Sequence, residues 1–233
     1  MATAHPSRGR IRGPGAATLA GTAFELTLGA MALGLAGVAG LAFVHRPWPN
    51  RLDVWGYQAL PANFSSRWAH DFVALGSLTA LIVGVAAVFL VGLLRDWVRA
   101  IACAAAPLLA VLIVQDLAKP LVGRHIGISG ATSYPSGTVA AVAALATAFT
   151  LVLPVMVRPL AALVGAAATV GACAAVVVLR WHYPTDALGG IGVGMGAVLA
   201  LDALSHLPWA IARSIRSGGA DRRIEPQRRP RLA

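Results

Sequence analysis

Apolar residues run through this chain in six long blocks separated by short polar segments. The blocks lie near 17–44, 72–94, 98–118, 138–157, 159–180 and 187–208. Each is long enough for a helix that crosses a bilayer, which takes about 20 residues. The pattern predicts an all-α fold, a six-span transmembrane helical bundle over 17–208, flanked by a basic tail at 1–16 and another at 209–233. Pro184 disfavours helix at Tyr183, so the fifth block should end near His182 and Asp186 should open the sixth. Arg8, Arg10 and Arg12 precede the first block as they would in a signal peptide, but its apolar part is too long, which predicts an uncleaved anchor. The glycines of "GGIGVGMGAVLA" are not followed by Gly-Lys-Ser/Thr and predict close helix packing, not a nucleotide loop.

Composition agrees with this pattern. The chain is 58% hydrophobic and 12% charged, where a soluble domain carries about 25% charged residues. The formal net charge of +10 raises nucleic acid as a partner, but the distribution of arginines argues for membrane topology instead. With the N-terminus inside, thirteen Lys/Arg fall in cytoplasmic segments and six in outer loops. That bias predicts both termini in the cytoplasm of an integral inner or plasma membrane protein. The basic tails then touch anionic lipid, and no nucleic acid is expected. Cys103 and Cys173 lie inside apolar blocks and read as buried small residues, with neither disulfide nor metal-ligand spacing. The first outer loop, "HRPWPNRLDVWGYQALPANFSSRWAH", is rich in Trp and Tyr, rings that prefer the headgroup layer. Interfacial anchoring and guidance of a lipid headgroup explain it equally well.

The candidate chemistry sits in the two other outer loops, "KPLVGRHIGISGATSYPSGT" (Lys119 to Thr138) and "RWHYPTD" (Arg180 to Asp186). Lys119 is the one lysine among nineteen Lys/Arg, which points to a need for a compact, flexible ammonium. Ser136 or Thr138 can cap the fourth helix. The unpaired amides of its first turn favour an anion, and Gly137 lets one approach the backbone. A carboxylate at Asp186 can accept a hydrogen bond from the His182 imidazole and leave the other ring nitrogen free to attack.

These three segments together resemble the type 2 phosphatidic acid phosphatase superfamily, which includes lipid phosphate and undecaprenyl-diphosphate phosphatases. The family's pattern is a lysine-led motif with a later Arg-Pro, then Pro-Ser-Gly-His, then Ser-Arg, five residues, His, three residues, Asp. The resemblance covers roughly 70–205. It implies that Lys119, Arg124, Ser136 and the Gly137 amide hold phosphate oxygens. It implies that His182 is the nucleophile forming a phosphohistidine and that Asp186 orients it. No metal and no other cofactor is implied.

The chain departs from the family pattern in three places. The second-motif histidine is Thr138, the Arg-Pro position is Ile126-Gly127, and the Ser-Arg position is Ala175-Val176. Arg180 lies four residues after Val176, nearly on the same helix face, and is expected to supply part of the missing guanidinium. Thr138 can donate a hydrogen bond but cannot titrate near neutral pH. Three consequences stay open: His125 substitutes as the acid; the substrate is a diphosphate whose leaving group needs none; or the protein binds lipid phosphate without turnover, as a transporter or scaffold. The expected function is metal-independent hydrolysis of a membrane lipid phosphate or diphosphate at the outer face, with a polyprenyl diphosphate favoured.

Overall fold

The computed structural model describes residues 18–221 apart from 45, 47 and 127–130, with backbone alone for 217–221. The basic tail at 1–16 lies outside the described residues, while 209–221 of the other belongs to the last helix and 222–233 lies outside. The fold is all-α, with one two-residue ladder between β1 (His125–Ile126) and β2 (Ala131–Thr132). Its helices are α1 (Leu19–Phe43), α2 (Arg51–Ala59), α3 (Arg67–Ala74), α4 (Leu78–Leu93), α5 (Trp97–Leu112), α6 (Lys119–Val122), α7 (Gly137–Val152), α8 (Arg158–Val178) and α9 (Pro184–Asp221). A π-helical stretch, Ile113–Ala118, joins α5 to α6.

All six apolar blocks are helical, but they are not equal in length. Among the described residues four helices are long and apolar enough to cross a membrane: Leu19–Phe43, Trp97–Val122, Arg158–Val178 and Pro184–Arg216. A fifth results if Arg67–Ala74 and Leu78–Leu93, bent by 48°, form one broken span. Helix α7 has 16 residues, bounded by the Ser136 cap and by Pro154, which cannot continue a helix. It is the central helix, packed against α4, α5, α8 and α9, and most of it is buried. Large apolar side chains elsewhere face outward, among them Phe24, Leu35, Leu90 and Leu163, as a lipid-facing surface requires.

Small residues let the helices meet at backbone distance. Along α9, Gly190 and Gly194 face α7, while Gly192 and Gly196 face α1. A Cβ at Gly194 would run into the Ala140 carbonyl oxygen, and one at Gly29 would stand 2.7 Å from the Ala200 nitrogen. This is the small-residue packing used by membrane helices. Gly194→Ala should therefore force α7 and α9 apart and lower stability by about 1–3 kcal/mol, read as an earlier thermal midpoint in detergent. Gly34→Ala, which meets nothing within 4 Å, is the control and should leave the midpoint unchanged.

Polar residues inside the bundle collect at its two ends. At the end away from the outer-loop motifs, Arg99 on α5 holds Asp202 on α9 through two hydrogen bonds, Nε to Oδ1 at 3.0 Å and Nη2 to Oδ2 at 2.8 Å. His206 Nε2 lies 3.1 Å from Asp96 Oδ2, and Asp96 caps α5 through the Val98 and Arg99 amides. These contacts tie α5 to α9. Cys103 is buried beside them, while Cys173 is half-buried, and both are free.

Candidate active site

The motif residues meet at the other end, about 24 Å along α9 from Asp202. Two backbone-directed bonds stitch the loops together. The Ser136 amide donates to the Asp186 carbonyl at 2.9 Å, and His182 Nδ1 lies 2.9 Å from the Ser133 carbonyl oxygen. A carbonyl only accepts, so Nδ1 carries the proton. In the neutral ring the lone pair is then on Nε2. That nitrogen has no partner among the described residues, and His182 is 9% exposed.

The turn carrying His182 is built by local rules. Helix α8 stops at Val178, and Arg180 follows in the left-handed region at φ 57°. Pro184 starts α9, where its missing N–H costs nothing. The Asp186 carboxylate accepts the Tyr183 amide at 2.9 Å, which satisfies one orphan donor of the first turn.

This arrangement corrects three expectations. The Asp186 carboxylate stands 3.8 Å from His182 Nδ1 and does not accept its hydrogen bond; the Ser133 carbonyl does. The reason is competition, because Asp186 Oδ1 accepts Arg124 Nη1 at 2.7 Å while Oδ2 takes the Tyr183 amide. Arg124 is the second correction. It is fully buried between the rings of Phe43 and Tyr183, with its guanidinium carbon 4.0 and 4.4 Å from their centroids. Its Nη1 also donates to Thr185 Oγ1 at 2.7 Å and its Nη2 to Asp53 Oδ2 at 2.5 Å. Arg124 thus clamps two aspartates and offers no guanidinium edge to a ligand in this state. Its Nε is buried without a partner.

The third correction concerns Arg180. The helix-face argument fails because α8 ends before that residue. Its guanidinium stacks 3.9 Å over the Tyr57 ring and donates to the Tyr57 and Val177 carbonyls. His125 lies on β1, exposed and paired in register with Thr132.

The start of α7 has the features an anion would use. Ser136 is buried and its Oγ accepts the Val139 amide at 3.4 Å. Thr138 is half-buried and its γ-methyl packs on Gly76, at the α3–α4 break, where a Cβ would come within 2.7 Å. Lys119 is half-buried and within electrostatic reach of Asp186, and its ammonium makes no hydrogen bond or ion pair among the described residues.

The structure adds three residues that the sequence reading did not single out. The Gln115 carboxamide nitrogen sits against the backbone of Gly137, 2.8 Å from where a Cβ would be. It projects from the π-helical stretch, a distortion frequent at functional sites. Its signal in the sequence is a polar residue one turn before Lys119 inside an apolar run. Asp53 is fully buried on α2 and reaches Arg124 and Thr185. Its local signal is the Asn50–Asp53 capping box, with both reciprocal bonds present. Tyr57 donates its hydroxyl to the His182 carbonyl at 3.3 Å.

Two tyrosines keep their protons around this site. Burial pushes the Tyr57 phenol well above its ordinary value. Burial, aided by the Asp186 charge, pushes Tyr134 up to about 12, so its hydroxyl remains a donor to the Ala36 carbonyl on α1. No family model, no curated protein and no solved structure matches this chain.

Proposed function

We propose that the chain is a membrane lipid phosphatase that transfers a phosphoryl group to Nε2 of His182 and then to water. The observation that carries this reading is the His182 Nδ1 contact with the Ser133 carbonyl, which leaves Nε2 as the nucleophilic nitrogen of a nearly buried ring. In this reading the helices form six spans with both termini in the cytoplasm, and the site faces outside. The resemblance to the type 2 phosphatidic acid phosphatase superfamily supports the same chemistry and implies no metal.

The steps follow from the donors present. The Nε2 lone pair attacks phosphorus, and the bond to the leaving oxygen breaks with its electron pair. Nδ1 keeps its proton against the Ser133 carbonyl, and the Asp186 carboxylate 3.8 Å away steadies the positive charge that develops on the ring. Lys119, the amides of the first turn of α7, the Thr138 hydroxyl and the Gln115 carboxamide surround the phosphoryl oxygens. Water then attacks phosphorus, breaks the N–P bond, releases inorganic phosphate and restores the imidazole.

Thr138 decides the substrate. An alkoxide leaving group needs a proton, and losing a general acid costs about 10²–10⁴ in rate. A phosphate leaving group departs with its charge held by hydrogen bonds alone. The protein should therefore release phosphate from a polyprenyl diphosphate at least about tenfold faster than from phosphatidic acid, with chelator present. Faster turnover of the monophosphate lipid would remove the leaving-group argument and point to His125 as the acid. Binding of both lipids with no release from either would favour a lipid-phosphate binder that does not turn over.

A further inference from the structure

Asp53 lies in the first outer loop, far in sequence from every motif residue, yet its side chain has no solvent exposure. Both of its oxygens are saturated by the site. Oδ1 accepts the Thr185 amide at 3.0 Å and the Thr185 hydroxyl at 2.7 Å. Oδ2 accepts Arg124 Nη2 at 2.5 Å and the Asn50 amide at 3.1 Å. A buried carboxylate is tolerated only with such pairing. The capping box of α2 explains the Asn50 bond but none of the other three.

Each of those three bonds leads toward His182. Thr185 is the second residue of α9, and its hydroxyl also accepts from Arg124 Nη1. Arg124 in turn holds Asp186, whose other oxygen holds the Tyr183 amide next to His182. The same short helix packs Gly56 on Pro184, where a Cβ would run into the ring, and sends the Tyr57 hydroxyl to the His182 carbonyl. The loop helix thus grips the 182–186 turn along its length.

We propose that Asp53 is a positioning residue for the phosphoryl-transfer site: it anchors Nη2 of Arg124 so that Nη1 stays on Asp186, which keeps Asp186 off the His182 ring and leaves Nδ1 to the Ser133 carbonyl. The proposal rests on the phosphatase reading for its kinetic effect. Without the Asp53 charge, nothing fixes Arg124 Nη2, the guanidinium is free to turn on Asp186, and the turn is free to shift by the fraction of an ångström that phosphoryl transfer does not tolerate.

The test is Asp53→Asn, which keeps the shape and removes the charge. The carboxamide introduced there would face Arg124 Nη2 with a donor or leave Thr185 without its acceptor, so the network cannot be rebuilt. In detergent, kcat for the diphosphate lipid should fall about 10–100-fold with KM changed less than about threefold. Protein labelled with ¹⁵N-histidine reads the geometry without activity. The His182 signal should show one Nδ1–H tautomer in the parent protein and a mixture or exchange-broadened pair in Asp53→Asn. An unchanged kcat and a single unchanged tautomer, in a variant that only melts earlier, would overturn the proposal and leave Asp53 as a fold-stabilising residue. If the parent protein forms no phosphohistidine, the phosphatase reading falls and the tautomer measurement alone decides: a changed His182 supports positioning by Asp53, an unchanged one overturns it.

Discussion

His182→Ala should bring phosphate release from a polyprenyl diphosphate down to the level of detergent blanks. The loss expected for removing a covalent nucleophile is of order 10⁴–10⁶ in kcat, far beyond what any other side chain of the site supplies. The same variant should still bind the lipid, because the groups proposed to hold the phosphate come from Lys119, the π-helical stretch and the start of α7. A second readout fixes the atom. Parent protein quenched during turnover should carry an acid-labile, base-stable phosphoryl group on Nε2, since Nδ1 is committed to the Ser133 carbonyl. Phosphate on Nδ1 would mean that the ring turns over before attack, and attack by Nε2 would be wrong. Residual release by His182→Ala at the parent rate would remove the phosphohistidine altogether.

The parts of this site legible in the sequence are those set by local rules. The cap at Ser136 follows from turn chemistry, and the structure shows it; α8 ends at Val178, four residues before the expected stop at His182, and α9 starts at Pro184, two before the expected Asp186. All six apolar blocks become helical, since length and hydropathy are local, but α7 stops at Val152, five residues short of the expected edge, and α9 runs to Asp221, thirteen beyond it. The α3–α4 break was not legible, and neither was the need for Gly76 within it, where Thr138, sixty-two residues later, packs at the place a Cβ would stand.

The sequence failed where a side chain had to choose between partners. His182 and Asp186 at i and i+4 read as a hydrogen-bonded pair. The pair forms only an approach at 3.8 Å, because Arg124 and the Tyr183 amide already occupy the carboxylate. Arg124 read as a ligand for phosphate for the same reason. Asp53, seventy-one residues upstream, leaves no local trace of the bond that claims it. Arg180 misled because the helix-face argument assumes a helix, and α8 ends two residues earlier in a left-handed turn. For His182, Asp186 and Arg124 the missing information was long-range electrostatics; for Arg180 it was where the helix ends.

That electrostatic arrangement sets the second large effect. Arg124→Ala should destabilise the protein by about 3–5 kcal/mol, the usual consequence of removing one member of a buried ion pair. The cost does not come from lost cation–π contact with Phe43 and Tyr183, which is worth about 2 kcal/mol at most when desolvated. It comes from leaving Asp53 and Asp186, both without solvent exposure, charged and facing each other across the gap. For a chain of this length the loss corresponds to an earlier thermal midpoint by about 10 °C. The double variant Arg124→Met with Asp53→Asn separates the two causes. It fills the gap with an apolar side chain and removes the repulsion between the two charges but leaves Asp186 without its partner, so it should recover part of the stability while activity stays low. If Arg124→Ala melts at the parent's own midpoint, the two carboxylates find other partners when the arginine is gone. Arg124 would then be free to leave its clamp, and its role as a phosphate ligand would return.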